Sequence, residues 1–309
     1  MIRTVNLSMK YGKFRAVHDL NLQIEAGSVF GFVGPNGAGK STTMSILATL
    51  LAPTSGQAYV DGYDVIQNPE EVRRLIGYMP DFFGVYDNLT AVEYLDFYAG
   101  AYNIPVEKRE TLIRDLLELV NLSMKADAYV DTLSRGMKQR LGLARCLIHD
   151  PKVLILDEPA SGLDPRARIE MKEILKELKG MGKTILISSH ILPELAEMCD
   201  HIGIIEQGQL IAMAPVDQIA AQVAGHRVLR VKLRSRAEDA QALVQDAKGV
   251  QSVTLEGKTD LLIAYTGDEE GQVALLSRLV SNGLPVLAFS EEAGNLEEVF
   301  LTVTKGVGS

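Results

Sequence analysis

The segment Gly34-Pro35-Asn36-Gly37-Ala38-Gly39-Lys40-Ser41 constrains the fold more than any other part of the chain. It fits the eight-position pattern of a phosphate-binding loop, Gly-x4-Gly-Lys-Ser. An apolar run at 29–33 precedes it, and apolar residues at helical spacing follow it at 44–51. The glycines let consecutive backbone N–H groups face an anion, and the N-terminus of the next helix adds its dipole. The sequence therefore predicts a strand, a phosphate loop and a helix, the opening of a parallel α/β unit.

Apolar strands and helical segments alternate after this loop. Residues 153–156 and 184–187 are apolar runs typical of buried strands, and a helix rich in Glu and Lys at about 169–178 connects them. This alternation predicts a mainly parallel sheet, which residues 202–205 and 209–211 complete as a terminal hairpin. Short strands are predicted earlier in the chain, at 4–7, 20–24 and 57–60, and amphipathic helices are predicted between residues 90 and 148.

The pattern changes after about residue 225. Strand and helix signals follow in the order β-α-β-β-α-β, which is ferredoxin-like and self-contained. We therefore expect a larger domain at 1–224 that carries the phosphate loop, with a helical subdomain at about 82–150, and a small accessory α+β domain at 225–309. The boundary is placed near Gly225.

Two carboxylates follow a predicted buried strand and provide the second half of a phosphate site. Asp157 stands at the carboxyl end of that strand, where open α/β sheets bind ligands, and Glu158 comes directly after it. We expect Lys40 to reach the β- and γ-phosphates of ATP and the Ser41 hydroxyl to ligate Mg²⁺ together with Asp157. Glu158 would accept a proton from the attacking water.

The overall charge argues against nucleic acid as a partner. The formal net charge is -9 at pH 7 and the isoelectric point is near 5.2, whereas binding to a phosphate backbone needs a cationic surface. No stretch approaches the roughly 20 apolar residues of a spanning helix. The first residues also lack the layout of a secretory signal, so we expect the protein to be made in the cytosol and to stay there.

The segment Leu133-Ser134-Arg135-Gly136-Met137-Lys138-Gln139-Arg140 lies shortly before Asp157. With it the chain closely resembles the ATP-binding cassette (ABC) ATPases, whose signature it matches at the Leu-Ser, second Gly and trailing Gln-Arg positions. The resemblance covers residues 1 to about 220 and implies a P-loop NTPase core of ABC type with an antiparallel β subdomain and an α-helical subdomain. The remainder, including residues 295–300, looks like the small C-terminal domain of bacterial and archaeal exporter-type cassettes, which would aid dimerisation or regulation.

The resemblance also implies roles for individual residues. Ser134 and the backbone near Gly136 would cap the γ-phosphate of ATP bound to the other protomer of a head-to-tail homodimer. Tyr11 matches the aromatic that stacks on adenine, and His190 matches the switch histidine that contacts the γ-phosphate. Asp164 belongs to the loop 161–164, which would communicate between protomers. The expected nucleotide-binding residues are Tyr11, Asn36, Gly37, Gly39, Lys40, Ser41, Thr42, Ser134, Gly136 and Asp164. The expected catalytic residues are Glu158, His190, Lys40 and Asp157, and the expected metal ligands are Ser41, Asp81 and Asp157.

Three positions depart from the family pattern. Asp81 stands where most members have glutamine, so it can still bind Mg²⁺ or its water but cannot donate an amide hydrogen bond. Arg135 replaces a glycine, and it either adds a cationic contact near the γ-phosphate of the opposite site or points to solvent. Met137 replaces a glutamine and loses any hydrogen bond made by that amide.

The partner implied by the resemblance is a multi-spanning membrane permease subunit encoded separately, which would place this chain peripherally on the inner face of the cell membrane. Aromatic residues concentrate just after Asp81, in the neighbourhood that receives the permease in this family, and we expect about half of them to form the core of the helical subdomain. They are Phe82, Phe83, Tyr86, Tyr94, Phe97, Tyr98 and Tyr102.

The function implied is ATP hydrolysis that powers transport, with export favoured by analogy. The alternative is a soluble ABC ATPase that acts on the ribosome or DNA, which the single cassette, the acidic charge and the lack of heptads disfavour. An idle regulatory subunit is disfavoured because Lys40, Asp157, Glu158 and His190 occur together. The transported substrate is not encoded in these motifs, and pairing with a different cassette stays open beside the homodimer.

Overall fold

The computed structural model describes residues 1–81, 84, 88–218 and 227–292. The chain forms two compact units, Met1–Val216 and Asp217–Ser309. The boundary predicted near Gly225 and the segment 295–300 lie outside the described residues.

The first unit contains two sheets and the helices that pack on them. Its strands are β1 (Ile2–Tyr11), β2 (Phe14–Ile24), β3 (Val29–Val33), β4 (Ser55–Val60), β5 (Tyr63–Asp64), β6 (Ile76–Met79), β7 (Val153–Leu156), β8 (Thr184–Ser189), β9 (His201–Glu206) and β10 (Gln209–Pro215). Its helices are α1 (Lys40–Leu47), α2 (Pro69–Leu75), α3 (Ala91–Ala101), α4 (Val106–Leu119), α5 (Arg135–Leu147), α6 (Pro165–Gly180) and α7 (Leu192–Ala196), with 3₁₀ turns at Ser123–Lys125 and Val130–Thr132.

The central sheet has the order β10-β9-β3-β8-β7-β6. Strands β9, β3, β8, β7 and β6 are parallel, and β10 joins the edge as an antiparallel hairpin with β9. Strands β3 and β7 are buried along their whole length, which explains why they are continuous apolar runs rather than alternating ones. The predicted parallel sheet and its terminal hairpin are confirmed.

The second sheet, of order β2-β1-β4-β5, is antiparallel. Its inner face shares one hydrophobic core with helix α1 and the central sheet; Leu20, Phe32 and Met44 are among the buried members. This is the antiparallel β subdomain that the resemblance implied. Helices α3, α4 and α5 form the helical subdomain, in which Tyr94 and Leu95 are buried.

The second unit has the predicted order β-α-β-β-α-β. Its elements are β11 (Arg227–Leu233), α8 (Ala237–Val244), β12 (Val250–Glu256), β13 (Asp260–Tyr265), α9 (Glu269–Ser281) and β14 (Val286–Glu292). The sheet order β12-β13-β11-β14 is antiparallel throughout and ferredoxin-like. Both helices pack on one face of this sheet, where Leu229, Leu261 and Leu279 belong to a separate core.

Helix α2 and strand β6 fall in a region where the sequence analysis assigned neither. Among the described residues, no helix is both long enough and apolar enough to cross a membrane.

Candidate active site

The phosphate loop connects β3 to α1 and is held close to two neighbouring segments. Gly39 precedes α1 with φ of 108°, a left-handed conformation that favours glycine. A Cβ at Gly39 would lie 2.4 Å from the Ala16 carbonyl oxygen, and one at Gly34 would lie 2.2 Å from that of Ile205. These glycines are therefore required by packing as well as by the exposure of backbone N–H groups to an anion.

Lys40 begins helix α1 and is 5% exposed. Its Nζ donates to the carbonyl oxygens of Gly34, at 2.5 Å, and Pro35, at 3.3 Å. The same Nζ lies 3.4 Å from Glu158 Oε1, an ionic contact without an aligned hydrogen bond. The ammonium is thus directed back over the loop. Ser41 is exposed, and Thr42 is half-buried beside it on the first turn of α1.

The ends of strands β7 and β8 position the two carboxylates. The Asp157 N–H donates to the Met79 carbonyl oxygen at 2.8 Å, which extends the parallel ladder by one bond. The Ser188 hydroxyl donates to Asp157 Oδ1 at 2.6 Å, and Ser188 Oγ accepts from the Glu158 N–H at 2.9 Å. Ser188 therefore sets the direction of both carboxylate residues.

Glu158 has φ of 51°, in the left-handed region that a non-glycine residue rarely adopts. This conformation turns the chain sharply after β7. His190, which follows β8, lies beside it, and its Nδ1 donates to Glu158 Oε2 at 2.9 Å. One carboxylate thus contacts the ammonium of Lys40 through one oxygen and the imidazole of His190 through the other. Backbone strain of this kind is common at sites where a side chain must be held in one direction.

Asp81 lies two residues beyond the end of β6. Its pKa is raised above the ordinary value, first by burial and then by the negative charges of Asp157 and Glu158. The positive charges of Arg135 and His190 oppose this shift. The negative charges of Asp157 and Glu158 therefore act on Asp81.

Tyr11 ends β1 and pairs across the hairpin with Phe14, the first residue of β2. Tyr11 is 50% exposed and Phe14 is 60% exposed. Directly paired residues of an antiparallel hairpin lie on the same face, so two aromatic rings share this surface. Phe14 is not among the predicted site residues. The two residues Gly12-Lys13 between it and Tyr11 are typical of a hairpin turn, and that spacing indicates that Phe14 pairs with Tyr11.

Replacing Tyr11 with Ala is expected to weaken ATP binding by about 5- to 150-fold, because stacking of a base on an aromatic ring contributes about 1–3 kcal/mol. Tyr11→Phe should keep most of the affinity, since the ring remains. The measurement is titration calorimetry with ATP, and Tyr63→Ala, which removes another exposed tyrosine of the same sheet, is the control. Unchanged affinity in Tyr11→Ala would contradict the assignment of adenine to this hairpin.

Ser134 and Asp164 are the caps of two helices. Ser134 Oγ accepts from the Met137 N–H at 3.3 Å at the start of α5, and Asp164 Oδ1 accepts from the Ala167 N–H at 2.8 Å at the start of α6. A Cβ at Gly136 would lie 2.8 Å from Ala167 Cβ, so glycine lets the two helices approach. Within the chain these residues cap helices and pack at a helix contact, and Ser134 is exposed at the helix end.

Arg135 and Arg140 of the signature segment have different environments. Arg135 is exposed, and its guanidinium lies against Gly162, where an added Cβ would be 2.5 Å from Nη1. It thus lies beside the loop 161–164 of its own protomer. Arg140 is buried, donates to the Val120 carbonyl oxygen at 2.8 Å and pairs with Glu170 at 3.1 Å, which joins the helical subdomain to α6.

The aromatic residues after Asp81 divide between core and surface. Of those described, Tyr94 is buried, Tyr98 is half-buried, and Phe97 and Tyr102 are 50% and 43% exposed. Tyr102 stacks on His149 with ring centroids 4.0 Å apart. Phe82, Phe83 and Tyr86 lie outside the described residues.

Comparisons with known proteins agree with this architecture. Residues 17–161 match the family model described as ABC transporter. The chain is 36% identical over 308 residues to the bacitracin transport ATP-binding protein BcrA of Bacillus licheniformis, covering 99% of this chain and 98% of that protein. It is 36% identical over 299 residues to the Nod factor export ATP-binding protein I of Burkholderia orbicola (strain AU 1054), covering 97% and 95%.

A solved structure, a dimeric post-hydrolysis ATP-binding cassette bound to ADP and Pi, superposes with a TM-score of 0.64. It is 26% identical and covers 70% of this chain and 99% of that chain. The chain therefore belongs to the ABC transporter family. Within that family it is an ATP-binding subunit, and these similarities favour this class over the soluble ribosome- or DNA-directed ATPase considered as the alternative.

Proposed function

We propose that the chain hydrolyses ATP to drive transport through a separate membrane permease, with export as the direction of transport. We further propose that the reaction is carried out by Lys40, Asp157, Glu158 and His190. The observation that supports this most strongly is their convergence at the carboxyl ends of β3, β7 and β8. Lys40 and His190 contact opposite oxygens of the Glu158 carboxylate, at 3.4 and 2.9 Å. The carboxyl edge of a parallel sheet is also where this class of fold binds ligands.

Lys40 would exchange partners when ATP binds. The β- and γ-phosphates accept charge-assisted hydrogen bonds from an ammonium more strongly than neutral carbonyl oxygens do. Lys40 would then leave Glu158 and the carbonyl oxygens of Gly34 and Pro35, and it would neutralise the triphosphate. Release from this ion pair would leave the Glu158 carboxylate available to a water molecule.

Glu158 would then act as general base. It takes a proton from the water as the water oxygen attacks the γ-phosphorus, and the bond to the bridging oxygen of ADP breaks, which yields ADP and phosphate. His190 holds one carboxylate oxygen through Nδ1, so the remaining oxygen is the one aimed at the water. Catalysis of this kind depends mainly on position and electrostatics, which the rigid ends of two strands can supply.

The residues fit a magnesium ion that is shared with phosphates. Among the described residues no three His, Cys, Asp or Glu side chains form a metal cluster. Mg²⁺ is usually held by one or two carboxylates with waters and substrate phosphates, and all three expected ligands, Ser41, Asp81 and Asp157, offer oxygen. When bound, the ion neutralises charge that develops on the phosphates.

Replacing Asp81 with Gln is expected to preserve hydrolysis but to change its dependence on Mg²⁺. The amide removes one negative charge from beside Asp157 and Glu158 and adds a hydrogen-bond donor. The measurement is the rate of phosphate release against Mg²⁺ concentration at saturating ATP. Superimposable curves for the two proteins would exclude Asp81 from the metal site.

The active assembly we propose is a head-to-tail homodimer in which Ser134 and Gly136 of one protomer face the nucleotide of the other. The helix start at Ser134 supports this, since exposed N–H groups at a helix N-terminus bind anions. ATP would close the dimer and hydrolysis would reopen it, which moves the permease between two states. The relatives named for bacitracin transport and Nod factor export support a transporter role. The location we propose is the inner face of the cell membrane, through the permease.

The experiment that tests this function is purification of the tagged chain from detergent-solubilised native membranes, with identification of the proteins that accompany it. Near-equal amounts of one multi-spanning protein are expected. Recovery with ribosomes or DNA alone would refute the transport assignment while leaving ATP hydrolysis standing. Phe97 and Tyr102 have exposed rings, and we expect their replacement to weaken the association of the chain with the multi-spanning protein.

A further inference from the structure

An ion pair connects helix α6 to helix α7. Arg168 Nη1 lies 3.1 Å from Glu194 Oε1, and the Glu194 side chain is only 8% exposed, whereas that of Arg168 is 40% exposed. A buried glutamate needs a compensating charge, and Arg168 supplies it. We call Arg168 and Glu194 the linking pair.

Each member of the linking pair also contacts a different functional segment. Arg168 Nη2 donates to the Leu163 carbonyl oxygen, in the loop 161–164, at 3.4 Å. On the other side, the Ser189 hydroxyl donates to Glu194 Oε2 at 3.4 Å, and Ser189 Oγ accepts from the Ile191 N–H at 3.0 Å. These last two residues flank His190 in the sequence, so the pair joins the loop 161–164 to the backbone that carries His190.

The same two segments meet a second time at Glu158. The Ser161 N–H donates to the Glu158 carbonyl oxygen at 3.0 Å, and His190 Nδ1 donates to the Glu158 carboxylate at 2.9 Å. The contacts therefore close into a ring: Glu158, the loop 161–164, the linking pair, Ser189, His190 and Glu158 again. Because these contacts form a closed ring, displacement of one segment can change the position of the others.

We propose that Arg168 and Glu194 are positioning residues for hydrolysis, which fix the loop 161–164 and His190 in register with Glu158. This rests on the proposed role of Glu158 and His190. Neither member of the pair contacts Glu158 directly, so each acts through its loop. Contact with a second protomer or with ATP would displace the loop 161–164. Because Arg168 and Glu194 connect this loop to the His190 segment, the displacement would also move His190.

A matched control pair joins the same two regions without entering the ring. Lys172 of α6 lies 2.7 Å from Glu197, the residue after α7, and both are more exposed than Glu194, at 34% and 66%. Loss of this pair removes another connection between α6 and the α7 region. It separates a positioning effect from simple loosening of the two helices.

The first test compares turnover in Glu194→Gln, in Arg168→Gln and in the control Lys172→Gln/Glu197→Gln. The single variants are expected to lower kcat for ATP by about 10-fold, because a small misplacement of reacting groups is costly. KM should stay within about 2-fold, since the phosphate loop that binds ATP lies outside the ring. The reversed pair Arg168→Glu/Glu194→Arg should recover part of kcat. Wild-type kcat in both single variants, or an equal loss in the control, would overturn the proposal.

The second test is hydrogen exchange of the full chain by mass spectrometry, which needs no turnover. Glu194→Gln should speed exchange in peptides that cover 157–168 and in peptides that cover 187–196. The control variant Lys172→Gln/Glu197→Gln should not speed exchange in both sets of peptides. Faster exchange confined to 187–196 would show that the pair does not link the segments and would overturn the proposal. A wild-type protein that hydrolyses no ATP would instead refute the proposed function, and the exchange result would still decide whether the ring exists.

Discussion

Replacing Glu158 with Gln is expected to reduce ATP turnover by about 100-fold or more, because removal of a general base costs about 10²–10⁴ in rate. ATP binding should persist, since Gln keeps the size of the side chain and Lys40 still faces the phosphate loop. An enzyme that binds ATP without hydrolysing it should accumulate as the closed dimer. Phosphate release at saturating ATP measures the first effect, and light scattering on a sizing column with ATP measures the second.

The control for this variant is Glu173→Gln, which makes the same chemical change on the exposed surface of α6. It should keep the wild-type rate and the wild-type monomer–dimer distribution. Turnover by Glu158→Gln at the wild-type rate would remove Glu158 from the role of base. Loss of ATP binding together with turnover would show instead that Glu158 acts mainly by holding Lys40 and His190 in place.

Much of the fold was predictable because its signals are local. The strand before the phosphate loop, the strand before Asp157 and the ferredoxin-like order after residue 227 follow from apolar runs and turn residues alone. Helix α2 was missed although its signals are present: Pro69 stands at its first turn with Glu70 and Glu71, and Arg73 and Arg74 end it. The segment has few apolar residues and lies in a region of strands, so these signals did not indicate a helix.

Strand β6 was missed because its stability depends on residues far away in the sequence. It forms the edge of the central sheet, and its outward carbonyl oxygens are covered by side chains around the end of α5. The Tyr78 carbonyl oxygen accepts from Arg145 Nη2 at 3.3 Å and from Cys146 Sγ at 3.2 Å, and that of Ile76 contacts His149 Nε2 at 2.8 Å. A strand of only four residues gives little signal in the sequence when the residues that cover its edge are distant along the chain.

The site shows the same division between local and distant signals. The loop motif and the pair Asp157-Glu158 are each contiguous in sequence, so the sequence alone indicates these residues as a phosphate site. The left-handed backbone of Glu158, the bonds of the Ser188 hydroxyl to the Asp157 carboxylate and the Glu158 N–H, and the contact between Lys40 and Glu158 arise only when three strands come together. No pattern in one segment specifies such contacts.

Replacing Lys40 with Ala is expected to weaken ATP binding by about 100-fold or more, because two charge-assisted bonds to phosphate contribute about 1.5–3 kcal/mol each. The change should also destabilise the free protein by about 1–3 kcal/mol, the cost of leaving a buried polar group without its partner. Lys40 is 5% exposed and its Nζ lies 3.4 Å from Glu158 Oε1, so its loss removes the counter-charge of that buried carboxylate oxygen. Calorimetry with ATP and thermal unfolding measure the two effects.

The double variant Lys40→Met/Glu158→Gln separates these two effects. It removes both charges, so the stability lost in Lys40→Ala should largely return, whereas ATP binding should stay weak because the phosphates still have no ammonium. Lys152→Ala, which breaks an exposed pair with Asp61, should change neither quantity measurably. If the double variant is as unstable as Lys40→Ala, the cost comes from the lost bonds to Gly34 and Pro35. The proposed exchange of Lys40 between Glu158 and phosphate would then lose its energetic basis.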